Sequence, residues 1–124
     1  MKHILIVDDE KDLVQTFKVR LEAAGDYVVS AAHNGEEALR VIQRGTPDLI
    51  LMDVLMPKMD GLTTLKAINM MIERKVPVIV MTGKAIMTKD AFQLEGACDF
   101  LVKPIDGAFL VKRIKELLAL EHSN

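Results

Sequence analysis

The sequence predicts a small doubly wound α/β domain, a parallel sheet covered on both faces by helices. Three observations predict it. Short runs of Val, Ile and Leu alternate five times with stretches of helical periodicity, the pattern of repeated strand–helix units. The runs are apolar at nearly every residue rather than at every second one, as in strands buried on both faces. Four of the five runs stop at a polar or ionisable residue, and open α/β sheets bind ligands at the carboxyl ends of their strands.

The first run, His3 to Val7, ends at Asp8-Asp9-Glu10. The helix after it carries Leu13, Val14, Phe17, Leu21 and Ala24 at helical spacing, with Gly25 as its C′ residue. Tyr27 to Ala32 is the second strand, which ends without an ionisable group. Asn34 then acts as an N-cap, with Glu37 completing a capping-box-like pattern before Ala38, Leu39, Val41 and Ile42. Gly45 and Pro47 close this helix and lead to Leu49-Ile50-Leu51-Met52, a run cut off by the carboxylate of Asp53. A Pro- and Gly-marked loop reaches Gly61. The third helix runs from there to about Arg74, its apolar stripe formed by Leu62, Leu65, Ile68, Met71 and Ile72. Val76 to Thr82 is the fourth strand, and Met87 to Leu94 a weakly patterned helix closed by Gly96. Cys98 to Val102 is the fifth strand, ending at Lys103-Pro104. From the N-cap Asp106, a last helix runs to about Leu120 through Phe109, Leu110, Ile114, Leu117 and Leu118.

At 124 residues, positions 1–124 form one domain, long enough to bury roughly two thirds of its unfolded surface without disulfides or metal staples. With no Trp and only 4% aromatic residues the core must be aliphatic. The eight methionines are expected mainly as filler, with Met56 and Met59, after Asp53, as exceptions. A net charge of −2 gives no concentrated basic surface for direct nucleic-acid binding. The single cysteine, Cys98, excludes an intrachain disulfide and is expected as a small buried hydrophobe. His3, His33 and His122 lack ligand spacing and are expected at strand edges or facing solvent. The first apolar run is too short for a signal peptide, and none approaches the ~20 residues of a membrane span, so a cytoplasmic location without membrane contact is expected.

In a parallel sheet with right-handed crossovers, Asp8, Asp9, Asp53, Thr82 and Lys103 share one edge. Taken singly, the acids at 8 and 9 suit a helix N-terminus, Thr82 a strand-end cap and Lys103 a solvated charge. Together they are a chemical set. Three carboxylates in one crevice repel, so they need a proton, a cation or a neighbouring positive side chain. Lys103 supplies part of that charge, and Mg2+ with oxygen ligands suits the remainder. A carboxylate beside Mg2+, a lysine and a hydroxyl has the parts for phosphoryl transfer, with Asp53 as nucleophile forming an acyl phosphate.

Four segments carry a family resemblance: ILIVDDE at the first strand, PDLILMDVLMPKMDG at the third, VPVIVMTG at the fourth and GACDFLVKPI at the fifth. Across essentially the whole chain they resemble the receiver domains of bacterial two-component response regulators, stand-alone chemotaxis-type receivers among them. The resemblance implies a flavodoxin-like (βα)5 fold with strand order 2-1-3-4-5. It implies that Asp53 takes a phosphoryl group from a phosphohistidine on a sensor histidine kinase or phosphotransfer protein. Asp8, Asp9, Asp53 and the Leu55 backbone carbonyl would bind Mg2+, while Thr82 and Lys103 contact the phosphoryl group. Phe100 would turn inward as Thr82 moves, changing the face made by the fourth helix, fifth strand and fifth helix. Pro104 would follow a cis peptide bond. The implied readers are a downstream effector or a fused output domain, with a weak homodimer as a further option, and the protein would not be a turnover enzyme on an external substrate.

The sequence also departs from the family's commonest pattern. Phe100 stands where Tyr is frequent, Ile105 where Phe is usual, and Cys98 replaces the first acid of a frequent Asp-Asp pair, leaving Asp99. In DNA-binding regulators that pair helps to form intersubunit salt bridges. Two other enzyme or cofactor classes fit the order of these residues less well. A haloacid dehalogenase-type phosphatase places its nucleophile after the first strand, and a flavin-binding carrier needs a hydroxyl- and Gly-rich loop where three acids stand here. A degenerate receiver serving only as a docking module is a third reading, which the full set of site residues disfavours.

Leu55 and Lys84, two positions past Asp53 and Thr82, flank the expected site, and an apolar residue at 55 should slow water's approach to the phosphoryl group. Leu55→Asn is expected to lose its phosphoryl group faster than the wild type in a dephosphorylation time course. An equal or slower loss would reject this role.

Overall fold

The computed structural model describes residues 1–54, 59–83 and 89–121. In chain order its elements are β1 (Lys2–Val7), α1 (Lys11–Ala24), β2 (Tyr27–Ala32), α2 (Gly35–Arg44) and β3 (Leu49–Asp53). They continue with α3 (Gly61–Met71), β4 (Val78–Thr82), α4 (Lys89–Leu94), β5 (Asp99–Val102) and α5 (Gly107–Glu121). All strand pairs are parallel, in the order β2-β1-β3-β4-β5, as expected of a doubly wound sheet.

Every residue of β3 and β4 is buried, which explains their unbroken apolar runs. With helices on both faces, neither parity of a central strand is open to a solvated side chain. Leu49, Leu51, Ile79 and Met81 face one core, filled by Phe17 and Leu21 of α1 and by Leu110 and Ile114 of α5. Ile50, Met52, Val78 and Val80 face the other, packed against α2, α3 and α4 through Ile42, Leu65, Ile68 and Phe92. Full burial of each such side chain contributes about 1.5–3 kcal/mol, so two cores sharing one sheet hold the strands firmly in register.

Local chemistry starts the helices. Asn34 Oδ1 accepts from the Glu37 N–H at 2.9 Å, as the cap reading expects. Glu37 Oε2 reaches back to the His33 N–H and the Asn34 side chain, each at 3.3 Å, rather than to the cap residue's own N–H. Asp60 Oδ1 caps α3 by accepting from the Thr63 N–H at 2.8 Å, and Asp106 Oδ1 accepts from the Ala108 N–H at 3.0 Å. Such caps contribute ~1 kcal/mol each. Gly96 closes α4 with φ +91°, a left-handed conformation that favours glycine.

Several boundaries and burials differ from expectation. The third helix stops at Met71 rather than near Arg74, because Ile72 is extended and Arg74 turns back to donate to the Pro47 carbonyl and Asp48. The fourth strand begins at Val78, since Pro77 lacks an N–H for the ladder. Gly25 follows α1 but is extended, not left-handed, as the chain runs straight into β2. Cys98 is exposed rather than buried: β5 lies at the sheet edge and begins one residue later, and Cys98 just before it donates its N–H to the Val78 carbonyl of β4. Met52 and Met81 are core residues, but Met1, Met70 and Met71 are exposed, and Phe109 points outward from α5. His3 and His33 are half-buried, with His3 Nε2 2.8 Å from Ser30 Oγ. The expectations for Met56, Met87 and His122 lie outside the described residues.

The loop that follows Asp53 is anchored by a close approach. Gly61 N–H donates to the Val54 carbonyl at 2.9 Å, and a Cβ at Gly61 would lie 2.9 Å from Val54 Cα and 3.0 Å from the Asp53 carbonyl oxygen. Those are backbone atoms, which cannot swing aside as a side chain can. Gly61→Ala is therefore expected to destabilise the protein by about 1–3 kcal/mol, read as a lowered urea midpoint. An unchanged midpoint would show that the contact is not tight.

Candidate functional site

Ladder register assembles the site. Val7 pairs with Met52, and Asp53 with Met81, so Asp8 and Asp53 emerge side by side at the carboxyl edge. Asp8 N–H donates to the Ala32 carbonyl and Lys103 N–H to the Thr82 carbonyl, carrying the ladders just past the strand ends. Lys103, 50 residues from Asp53 in sequence, thereby reaches it. A cis peptide bond links Lys103 to Pro104.

Asp8 and Asp53 are buried, at 0% and 5% exposure, and Thr82 is fully buried at the end of β4. Lys103 Nζ donates to Glu10 Oε1 at 2.8 Å, Asp8 Oδ2 at 2.9 Å and Asp53 Oδ2 at 3.4 Å. The Asp8 and Asp53 carboxylates have oxygens within 4.8 Å of each other, and two charges so placed repel by roughly 3–4 kcal/mol at an effective dielectric of about 20. The ammonium offsets that repulsion. Burial by itself would lower the Lys103 pKa. Hydrogen bonds to Glu10 and Asp8, with the charges of Asp8 and Asp53, outweigh burial and hold it above the ordinary lysine value.

The expected residues are not all drawn together. Asp8, Asp53 and Lys103 are in mutual contact, with Thr82 on the strand beside Asp53. Phe100 is half-buried on β5, its ring centroid 6.2 Å from that of Phe92 in α4. Asp9 is exposed and is not among the carboxylates grouped within 4.8 Å, which are Asp8, Glu10 and Asp53. Leu55 and Lys84 lie outside the described residues. By sequence, Glu10 is, like Asp8 and Asp9, an acid suited to the first turn of a helix. It does stand at the N-cap of α1, but its side chain makes no cap bond and goes to Lys103 instead. Glutamate is a poor N-cap type, and that mismatch was the available signal. Asp99, the acid left beside Cys98, accepts from Arg113 Nε at 2.5 Å and Nη2 at 3.0 Å, a two-pronged pair within one chain.

The response regulator receiver domain model matches residues 4–115. This chain belongs to that family. Among curated relatives, the receiver resembles the transcriptional regulatory protein CpxR of Escherichia coli (strain K12), with 40% identity over 123 residues covering 98% of this chain and 51% of that protein. It also resembles the alkaline phosphatase synthesis transcriptional regulatory protein PhoP of Bacillus subtilis (strain 168), at 36% identity over 94% of this chain and 48% of that one. The chain thus spans about half the length of the curated relatives it matches. Among solved structures, a two-component response regulator from Clostridium difficile superposes with a TM-score of 0.92 at 29% identity, covering 99% of this chain and all of that one. A CheY-like receiver domain protein from Methanospirillum hungatei JF-1 gives 0.90 at 32% identity, covering 98% and 97%. Receivers of this family are phosphorylation-controlled signalling switches, not turnover enzymes on external substrates, and they bind Mg2+ at an acidic cluster. The two buried carboxylates, Asp8 and Asp53, fit such an ion, which takes oxygen ligands. No helix among the described residues is long and apolar enough to cross a membrane.

Removing the ammonium should leave Asp8 with the Glu10 N–H, at 2.9 Å, and no adjacent positive charge from position 103. Lys103→Met is expected to lose about 1–3 kcal/mol of stability at neutral pH. Because the folded pKa of Lys103 is raised, its contribution is full below the ordinary value of 10.5 and is lost as pH rises through the higher folded value. Urea unfolding should therefore show a deficit that holds from neutrality up to the ordinary lysine value of 10.5 and narrows above it. A deficit that vanished near neutrality would contradict the ion-pair assignment.

Proposed function

We propose that Asp53 accepts a phosphoryl group and that residues 1–124 work as one receiver unit, switched by that modification. The observation that carries this reading is a buried carboxylate at the end of the central strand, with Lys103 Nζ 3.4 Å away and the Thr82 side chain on the neighbouring strand. An Asp53 oxygen attacks the phosphorus of a phosphohistidine on a sensor histidine kinase or phosphotransfer protein. The O–P bond forms as the P–N bond breaks, and imidazole leaves with the electron pair. Lys103 neutralises charge on the phosphoryl oxygens, and the Thr82 hydroxyl donates to another of them. Asp8, Asp9 and Asp53, with the Leu55 backbone carbonyl that the family resemblance implies, would hold Mg2+, which would supply further neutralisation of those oxygens.

The switch follows from what the new group attracts. Phosphorylation adds charge and acceptor oxygens at a buried position, so a shift of Thr82 towards them is favoured. Phe100 lies on the adjacent strand, its backbone paired two residues before the Thr82 level, and is packed only partly. Its ring moves inward into the space that Thr82 vacates, and the surface of α4, β5 and α5 changes for a downstream effector or a fused output domain. The unmodified protein samples the same state at lower population.

Incubation with Mg2+ and a small acyl phosphate should add one phosphoryl group to the wild type and none to Asp53→Ala, read by intact mass. Thr82→Ala should still be labelled, while the phosphorylation-linked change in the Phe100 ring signals by NMR is largely lost. An unlabelled wild type or a labelled Asp53→Ala would overturn the proposal.

A further inference from the structure

The side chain of Glu10 has no part in the scheme above, yet it lies 2.8 Å from the Lys103 ammonium, closer than Asp8 or Asp53. The contact belongs to a closed circuit. Lys103 Nζ donates to Glu10 Oε1 and to Asp8 Oδ2, while the Glu10 N–H donates to the other Asp8 oxygen, Oδ1, at 2.9 Å. Asp8 therefore fixes the backbone of the residue whose side chain shares the ammonium with it. An ammonium has three protons to give, and Glu10, Asp8 and Asp53 take them with Asp53 at the longest distance, 3.4 Å.

The three partners are not equally easy to release. The Asp8 side chain is fully buried and the Asp53 side chain 7% exposed, whereas that of Glu10 is 59% exposed. Water can solvate Glu10 once it lets go, but cannot do so for Asp8. When Asp53 gains a phosphoryl group, the ammonium keeps Asp8 and exchanges Glu10 for a phosphoryl oxygen. A contact present in one state and absent in the other biases the equilibrium between them. Resting on the phosphoacceptor reading of Asp53, we infer that Glu10 is a positioning residue that holds Lys103 back from Asp53 in the unphosphorylated protein and so slows phosphorylation. Its contact is broken both in phosphoryl-Asp53 and in the transition state for hydrolysis, so the loss of the phosphoryl group is left untouched.

The test compares the full wild-type chain with Glu10→Gln, which keeps length and removes charge. With saturating Mg2+ and a small acyl phosphate, intact mass should give a phosphorylation rate roughly two- to fivefold higher in Glu10→Gln, the range that one exposed ion pair supports. The dephosphorylation half-life should be unchanged. The rate difference should shrink at high salt, which screens the wild-type pair and has no pair to screen in the variant. In the metal-free, unphosphorylated protein, NMR relaxation at the Lys103 side chain should report greater mobility in Glu10→Gln. Mg2+ affinity, measured by titration without phosphodonor, should change little. Equal or slower phosphorylation of the variant, equal Lys103 mobility, or a loss of Mg2+ affinity of roughly tenfold or more, as removal of a metal ligand gives, would each overturn the inference. An unlabelled wild type would instead reject the phosphoacceptor reading itself, so the two failures are distinguishable.

Discussion

The ammonium of Lys103 is the interaction on which the carboxyl edge of this sheet depends. Two buried acids, Asp8 and Asp53, stand side by side because the ladders leave them no other place, and an uncompensated charge pair in that setting would work against the fold. Lys103 reaches both, and adds the exposed Glu10. What stabilises the resting protein is thus the same group that a phosphoryl on Asp53 would recruit. The positive charge is fully occupied in the resting site, and the most exposed of its three partners is Glu10.

The rest of the structure delivers these groups. Strands β3 and β4 are buried along their whole length, so neither can slide without moving both cores. Gly61 brings the start of α3 against the backbone of Val54, fixing where the loop after Asp53 re-enters the domain. At the far side, β5 is only partly covered, and Arg113 binds Asp99 through two nitrogens within the chain. That pairing engages the single acid left beside Cys98, so an intersubunit bridge from Asp99 would have to compete with it. The difference in burial between the central strands and the edge strand is consistent with change at β5 while β3 and β4 stay put.

Much of this was legible in the sequence, for identifiable reasons. Unbroken apolar runs can be read because a strand covered on both faces excludes polar residues at both parities, and this located all five strands to within two residues. Asn34 and Asp106 were legible as caps because capping acts over three residues or fewer. Asp8, Asp53, Thr82 and Lys103 could be placed on one edge, since parallel strands share a direction. Less legible were properties decided across the sheet or at its margin. Cys98 sits in an apolar context yet lies exposed beside an edge strand, and Met71 belongs to the apolar stripe of its helix but is exposed.

The sequence by itself determined the doubly wound class and the set of charged groups at the strand ends, because both follow from local periodicity and a single chain direction. Only the tertiary structure decided which acid holds the lysine. Glu10 and Lys103 are separated by 93 residues, and nothing local at either position encodes their 2.8 Å contact. It arises because α1 starts at Glu10 without using that side chain as a cap, while the β5 end brings Lys103 alongside. Distances of this kind are set by packing of the whole sheet, which is why Asp9, prominent in the sequence, stands exposed while Glu10 enters the circuit.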